Sequence, residues 1–128
     1  MNHLILIGNL GQTPDVKTSQ GGTTFCRFLL ATNDAWLKDG EKHERTDWHR
    51  IVVFGKKAEA MKVLAKGDKV AISGVLRGEF REQEGGRKAL ETEVHAHRVD
   101  FLKVAAWTER EPIEEGRATE PDDDDIPF

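Results

Sequence analysis

The sequence predicts an all-β domain: a five-stranded barrel with one short helix between strands 3 and 4. Three observations carry this. Five segments rich in β-branched and aromatic residues are separated by glycine-containing breaks, and a single stretch of helical period falls between the third and the fourth. At 128 residues the chain holds one small domain with a tail. The order β-β-β-α-β-β is that of the OB-fold, an order it shares with swapped or mixed small barrels. The helix is too short to cover a large sheet, so a curled barrel capped at one end is the economical solution.

The elements follow in order. Leu4 to Ile7 is an apolar run ending at Gly8, with Gly11 and Pro14 beyond it, a strand and then a turn. Thr24 to Thr32, with Phe25, Cys26, Phe28 and Leu29, is a second strand. Asn33 to Arg45 is polar and carries Asp39-Gly40, a pair that favours two-residue hairpin turns. Thr46 to Phe54 is a third strand, broken by Gly55. Lys56 to Ala65 places Ala60, Met61 and Leu64 on one helical face, with Lys62 and Lys66 suited to its negative end and Gly67 to its exit. Asp68 to Phe80 alternates Val70, Ile72 and Leu76, and Gly74 and Gly78 permit a bulge or bend. Gly85-Gly86 marks a second hairpin. Lys88 to Val104 is the fifth strand, with Val94, Ala96 and Arg98 facing one way and His95, His97 and Val99 the other. The domain is expected to span 1–107. Residues 108–121, with two prolines and few apolar side chains, read as a disordered linker, and 122–128 as an acidic tip.

Composition narrows the function. The single cysteine, Cys26, excludes an intramolecular disulfide framework and a CxxC metal knuckle, and within TFCRFLLAT it reads as a buried, inert thiol. No apolar stretch is long enough for a membrane span, and the N-terminal MNHLILIGNLGQ lacks the charge and cleavage site of a signal peptide, so a cytoplasmic protein is expected. The net charge of −4 is unevenly placed. From Glu109 to Phe128 there are nine acids and two bases, net −7, whereas residues 1–108 hold 17 bases and 14 acids, net +3. A basic body suits a polyanion, and an acidic end suits a basic protein partner or competition with that polyanion.

Period two on the third strand puts Trp48, Arg50, Val52 and Phe54 on one face and His49, Ile51 and Val53 on the other. Two aromatic rings and an arginine on one face make a platform for stacking bases and holding a phosphate, and stacking is tolerant of sequence because every base has a π-face. Trp36, in a polar loop beside Lys38, Lys42 and Arg45, reads as a flexible finger that closes over bound bases. Phe80, Arg77, Arg81, Arg87 and Lys88 surround the second hairpin, mixed with Glu79, Glu82 and Glu84. Trp107 ends the last strand without an assigned role. His95 and His97 lack a third ligand at recognisable spacing, so no metal or other cofactor is expected. No nucleophile, P-loop, HExxH or GxSxG pattern is present, and nothing argues for catalysis. The C-terminal Asp122, Asp123, Asp124 and Asp125 precede an apolar Ile126, Pro127 and Phe128, a tip suited to a partner's pocket that also receives the terminal carboxylate.

These residues resemble a known family. The start LILIGNLGQTPDV, LATNDAW, TDWHRIVVFGKKAE, VAISGVLRGEF, the segment TEV and the terminal DDDDIPF are together similar to bacterial single-stranded DNA-binding proteins, the SSB family, over nearly the whole chain. The resemblance implies an OB-fold that assembles as a homotetramer wrapped by single-stranded DNA, nucleoid-associated, in replication, recombination and repair. By motif match, Trp36, Trp48 and Phe54 are expected to stack bases and His49 to lie at a subunit interface, and Phe80, the aromatic nearest a further stacking position, is expected to stack as well. Phosphate contacts are expected from Lys38, Arg50, Lys56, Arg77, Arg81 and Lys88, and the tip is expected to recruit genome-maintenance proteins. Two departures stand out. Counting from Gly74, Arg81 occupies the position of a further stacking aromatic, with Phe80 one residue early, and the linker is short and Glu-rich. Two other readings stay open: an OB-fold RNA-binding or primosome accessory module, and a protein-interaction adaptor whose aromatics are core.

Overall fold

The computed structural model describes residues 1–110, with side chains through Trp107. The expected tip, and the linker from residue 111 onward, lie outside the described residues. Alternating apolar side chains build the barrel. Its strands are β1 (Leu4–Leu10), β3 (Thr24–Lys38), β4 (Glu41–Phe54), β5 (Lys69–Glu82) and β6 (Lys88–Lys103), and a short β2 (Asp15–Thr18) flanks it. Helix α1 (Lys56–Ala60) lies between β4 and β5, and α2 (Ala105–Arg110) follows β6. The strands run β1-β5-β6-β4-β3, and β1 returns to β3 through Asn9↔Ala31 and Leu10↔Leu30, which closes the ring. The β4–β6 pair, Ile51↔Val94 to Val53↔Ala96, is parallel. With one helix between the third and fourth barrel strands, this is the OB-fold.

Inside the barrel, Cys26, Phe28, Leu30, Ile51, Val53, Val70, Ile72 and Val94 meet in one buried cluster. Ala58, Met61 and Leu64 close its end, a spacing of three that suits the tighter helical turn at Met61–Val63. The helix is therefore shorter than expected, and Ala58, not Ala60, faces the core. Burial, aided by the charge of Asp15, pushes the Cys26 thiol up to about 11. Thiolate at pH 8 is then about one part in a thousand. Folded protein should resist thiol-specific reagents at that pH and react in denaturant, and prompt labelling of folded protein would refute this.

Three features depart from the sequence reading. Asn33 to Arg45 is not a loop: β3 and β4 continue as a two-stranded arm to Lys38↔Glu41, leaving only Asp39-Gly40 as the turn. Both turn residues have positive φ, 54° and 80°, as this tight turn requires. Residues 15–18 pair with Thr24–Arg27 as β2, on the same edge of β3 that β1 takes further along. The third departure is the place of the bulge: the sequence permits one at Gly74, but its extra residue falls across the ladder on β6. Ser73 pairs with Arg98 but Gly74 pairs with Ala96, so His97 is an extra residue. Val94, Ala96, Val99 and Phe101 consequently pack on the core, whereas strict alternation had placed Val99 with His95 and Arg98 with Val94. Gly74 is what lets the bulge close. A Cβ there would run into the His95 carbonyl oxygen and lie 2.9 Å from Ala96 Cα.

Asp68 is the one charged side chain buried among the described residues. Its carboxylate accepts the Ala65 amide at 2.8 Å and the Ala105 amide at 3.1 Å, tying the turn before β5 to the start of α2. Asp68→Ala leaves both donors without this acceptor. The expected cost is about 2–4 kcal/mol, measured as a lower urea midpoint with an unchanged m-value.

Candidate nucleic-acid interface

Cross-strand register decides which side chains can act together. Trp48, Arg50, Val52 and Phe54 lie opposite Ala31, Leu29, Arg27 and Phe25 on the side of the ribbon away from the barrel's central cluster, with Val52 and Ala31 buried among them. The rings are not core residues: Trp48 is 58 % exposed and Phe54 46 %. Trp48 lies over Gly11 in the β1–β2 turn, where an added Cβ would meet the indole, one ring carbon at 3.2 Å. Gly11→Val should tilt the indole off this seat, shift Trp emission in the free protein and weaken oligonucleotide binding severalfold while the fold melts cooperatively. An unchanged affinity would show that the indole's seat on Gly11 does not matter.

Beside the platform is a groove of about 250 Å³ between β4, β5 and β6. Arg50, Arg77 and Arg81 line it, together with Glu79, Glu91 and Glu93. Arg50 donates through Nε to the Thr92 carbonyl at 3.1 Å, which fixes the guanidinium over β6. Arg81 bridges Glu79 at 3.2 Å and Glu91 at 3.1 Å, and Arg27 approaches Glu93 at 3.8 Å. These pairs reach solvent, so each contributes little to stability. His95 touches the platform, its ring edge-on to Phe54 at 5.5 Å.

Not every expected site residue joins this face. Trp36, 45 % exposed, belongs to the arm and lies on the other side of the β3–β4 ribbon, stacked on His43 at 5.8 Å. Lys38 shares that side at the arm's tip, as does Arg45, whose guanidinium is held above its usual pKa by its bond to Asp47 and by that residue's charge. Phe80, 69 % exposed, pairs with Leu90 on the face that continues from Leu76 and Val94, opposite the groove. No register shift separates Gly74 from Phe80, so the one-residue offset is not corrected and Arg81 takes the groove position. Lys88 pairs with Glu82 on the Phe80 side, and Lys56 is exposed at the start of α1. His49 lies on the opposite face of β4 from Trp48, its Nε2 2.9 Å from Thr32 Oγ1.

Sequence reasoning passed over Phe25, Arg27 and His95. Arg27 carried a signal, a lone charge in an otherwise apolar strand, and its guanidinium lies 5.4 Å from the Phe25 ring centre. Trp107 is in α2, its ring tilted against Phe101 at 5.7 Å. Among the described residues, no three His, Cys, Asp or Glu side chains are grouped to hold a metal ion, and no helix is long and apolar enough to cross a membrane.

Residues 1–102 match the model of the single-strand binding protein family. The single-stranded DNA-binding protein 1 of Xylella fastidiosa is 40 % identical over 105 residues, covering 80 % of this chain and 77 % of that protein. Among solved structures, an SSB complex with single-stranded DNA from Plasmodium falciparum superimposes with a TM-score of 0.73 at 32 % identity, over 80 % of this chain and 96 % of that one. A deletion mutant of the single-stranded DNA-binding protein from Thermus aquaticus gives 0.70 at 31 % identity, over 80 % of this chain and 51 % of that one.

Proposed function

The chain belongs to the single-strand binding protein family, and from that premise we propose that it binds single-stranded DNA without regard to base sequence and is not an enzyme. The observation that carries this reading is the exposed face of β4, where Trp48 and Phe54 flank Arg50 beside an arginine-lined groove. Bases stack on Trp48 and Phe54, and Arg50, Arg77 and Arg81 neutralise phosphates. Trp36 and Lys38 on the arm engage a strand that passes round the ribbon edge, whereas Phe80 and Lys88, on the far side of the β5–β6 ribbon from the groove, contribute little. Lys56 extends the basic track beyond Phe54.

The same reading has the protein act as a homotetramer on the nucleoid, in replication, recombination and repair, with 122–128 recruiting genome-maintenance proteins. Exposed Ile5 and Ile7 on β1 favour self-association, and His49 belongs to a contact between copies. Titrating tryptophan fluorescence with oligo-dT tests the whole proposal. Saturable quenching at a fixed nucleotide count per tetramer supports it, and absence of quenching at low salt refutes the platform. Equal affinity for an oligo-U of the same length would favour an RNA-binding module instead.

A further inference from the structure

His95 reaches the groove from β6, a position where a strand residue has no need of a titratable ring. Its ring edge meets Phe54, with ring planes 66° apart. Its Nε2 lies 3.0 Å from Glu93 Oε1, and a carboxylate accepts only, so Nε2 carries a proton and donates. The side chain remains 29 % exposed, open to a ligand crossing the face.

Its charged surroundings nearly balance. Glu91 and Glu93 come from its own strand, Arg50 from β4, Arg27 from β3, and Arg77, Arg81 and Glu79 from β5. Four cations therefore face three carboxylates, and one more positive charge changes the character of the groove. Histidine is the side chain whose charge changes between pH 5 and 8.

We propose that His95 is a pH-dependent phosphate contact of the stacking platform, so that affinity for single-stranded DNA rises as pH falls and His95 becomes cationic. The ring contact with Phe54 then places that charge beside the base stacked there, within reach of its phosphate. This rests on the reading that single-stranded DNA crosses this face. His43 and His49 lie on the other face of the β3–β4 ribbon, and a His95 variant leaves them unchanged.

The test measures binding of a labelled oligo-dT at pH 8 and 5.5, across a salt series, for the wild-type chain, His95→Gln and His95→Lys. Thymine does not titrate in this range. Glutamine preserves a donor toward Glu93 without the charge, and lysine holds the charge at both pH values. The wild type should gain about threefold in affinity at pH 5.5. Its salt slope should steepen by about 0.7 for each phosphate newly neutralised. His95→Gln should lose that rise, and His95→Lys should bind with the steeper slope at both pH values. Parallel rises in the wild type and His95→Gln would assign the effect to another group and overturn the proposal. So would a pH-independent loss in His95→Gln, which would make His95 only a support for Phe54. No saturable binding by the wild type at either pH would instead overturn the DNA-binding reading itself.

Discussion

Trp48→Ala should weaken oligo-dT binding about tenfold per engaged protomer, because a stacked base contributes about 1–3 kcal/mol, a factor of roughly 5 to 150. Folding should survive, since the indole is 58 % exposed and rests over a turn glycine, so equilibrium unfolding should shift by less than about 1 kcal/mol. Polarisation of a labelled oligonucleotide is the appropriate readout, because removing the indole also removes much of the fluorescence signal. Phe54→Ala should cost somewhat less, its ring being smaller, and should also free His95 from its edge contact. Phe80→Ala provides the contrast. The ring is the most exposed of the four expected stacking residues, yet it points to the opposite side of the β5–β6 ribbon from the groove, so a loss within about twofold is expected. A loss as large as that of Trp48→Ala would place the strand round the outside of the hairpin.

The contrast between these residues also shows where sequence and structure part. Alternation over Trp48 to Phe54 was readable because one side of β4 is core: Ile51 and Val53 had to be apolar, so their neighbours had to point out. The barrel order and the position of the helix were legible for the same reason. The arm was not, because beyond Ala31 both faces of the β3–β4 ribbon meet solvent and burial no longer imposes alternation. Only the turn, Asp39-Gly40, announced it. Gly74 announced a bulge but not which residue it displaces, since the extra residue, His97, lies across the ladder and carries no signal of its own. His95 was missed as a platform residue because its contact with Phe54 crosses the parallel β4–β6 pairing, a tertiary fact with no trace in spacing.

Removing residues 122–128 should tighten DNA binding at low salt. The deletion takes away four aspartates and moves the formal net charge from −4 to 0. The end of the chain lies 18 residues past Arg110, at most about 60 Å of extended backbone, more than a domain of this size spans. A tether of that reach would give the aspartates an effective concentration at the groove in the millimolar range, so that even a weak contact would compete with DNA. At about 10 mM salt, where charges act over about 30 Å, the shortened chain should bind oligo-dT several-fold more tightly than the full chain. At about 1 M salt the interaction range falls to about 3 Å and the two should converge. The shortened chain should therefore also show the steeper dependence of log affinity on log salt. Equal affinities at low salt would mean that the acidic end never visits the groove, and its charge would then serve partner proteins alone.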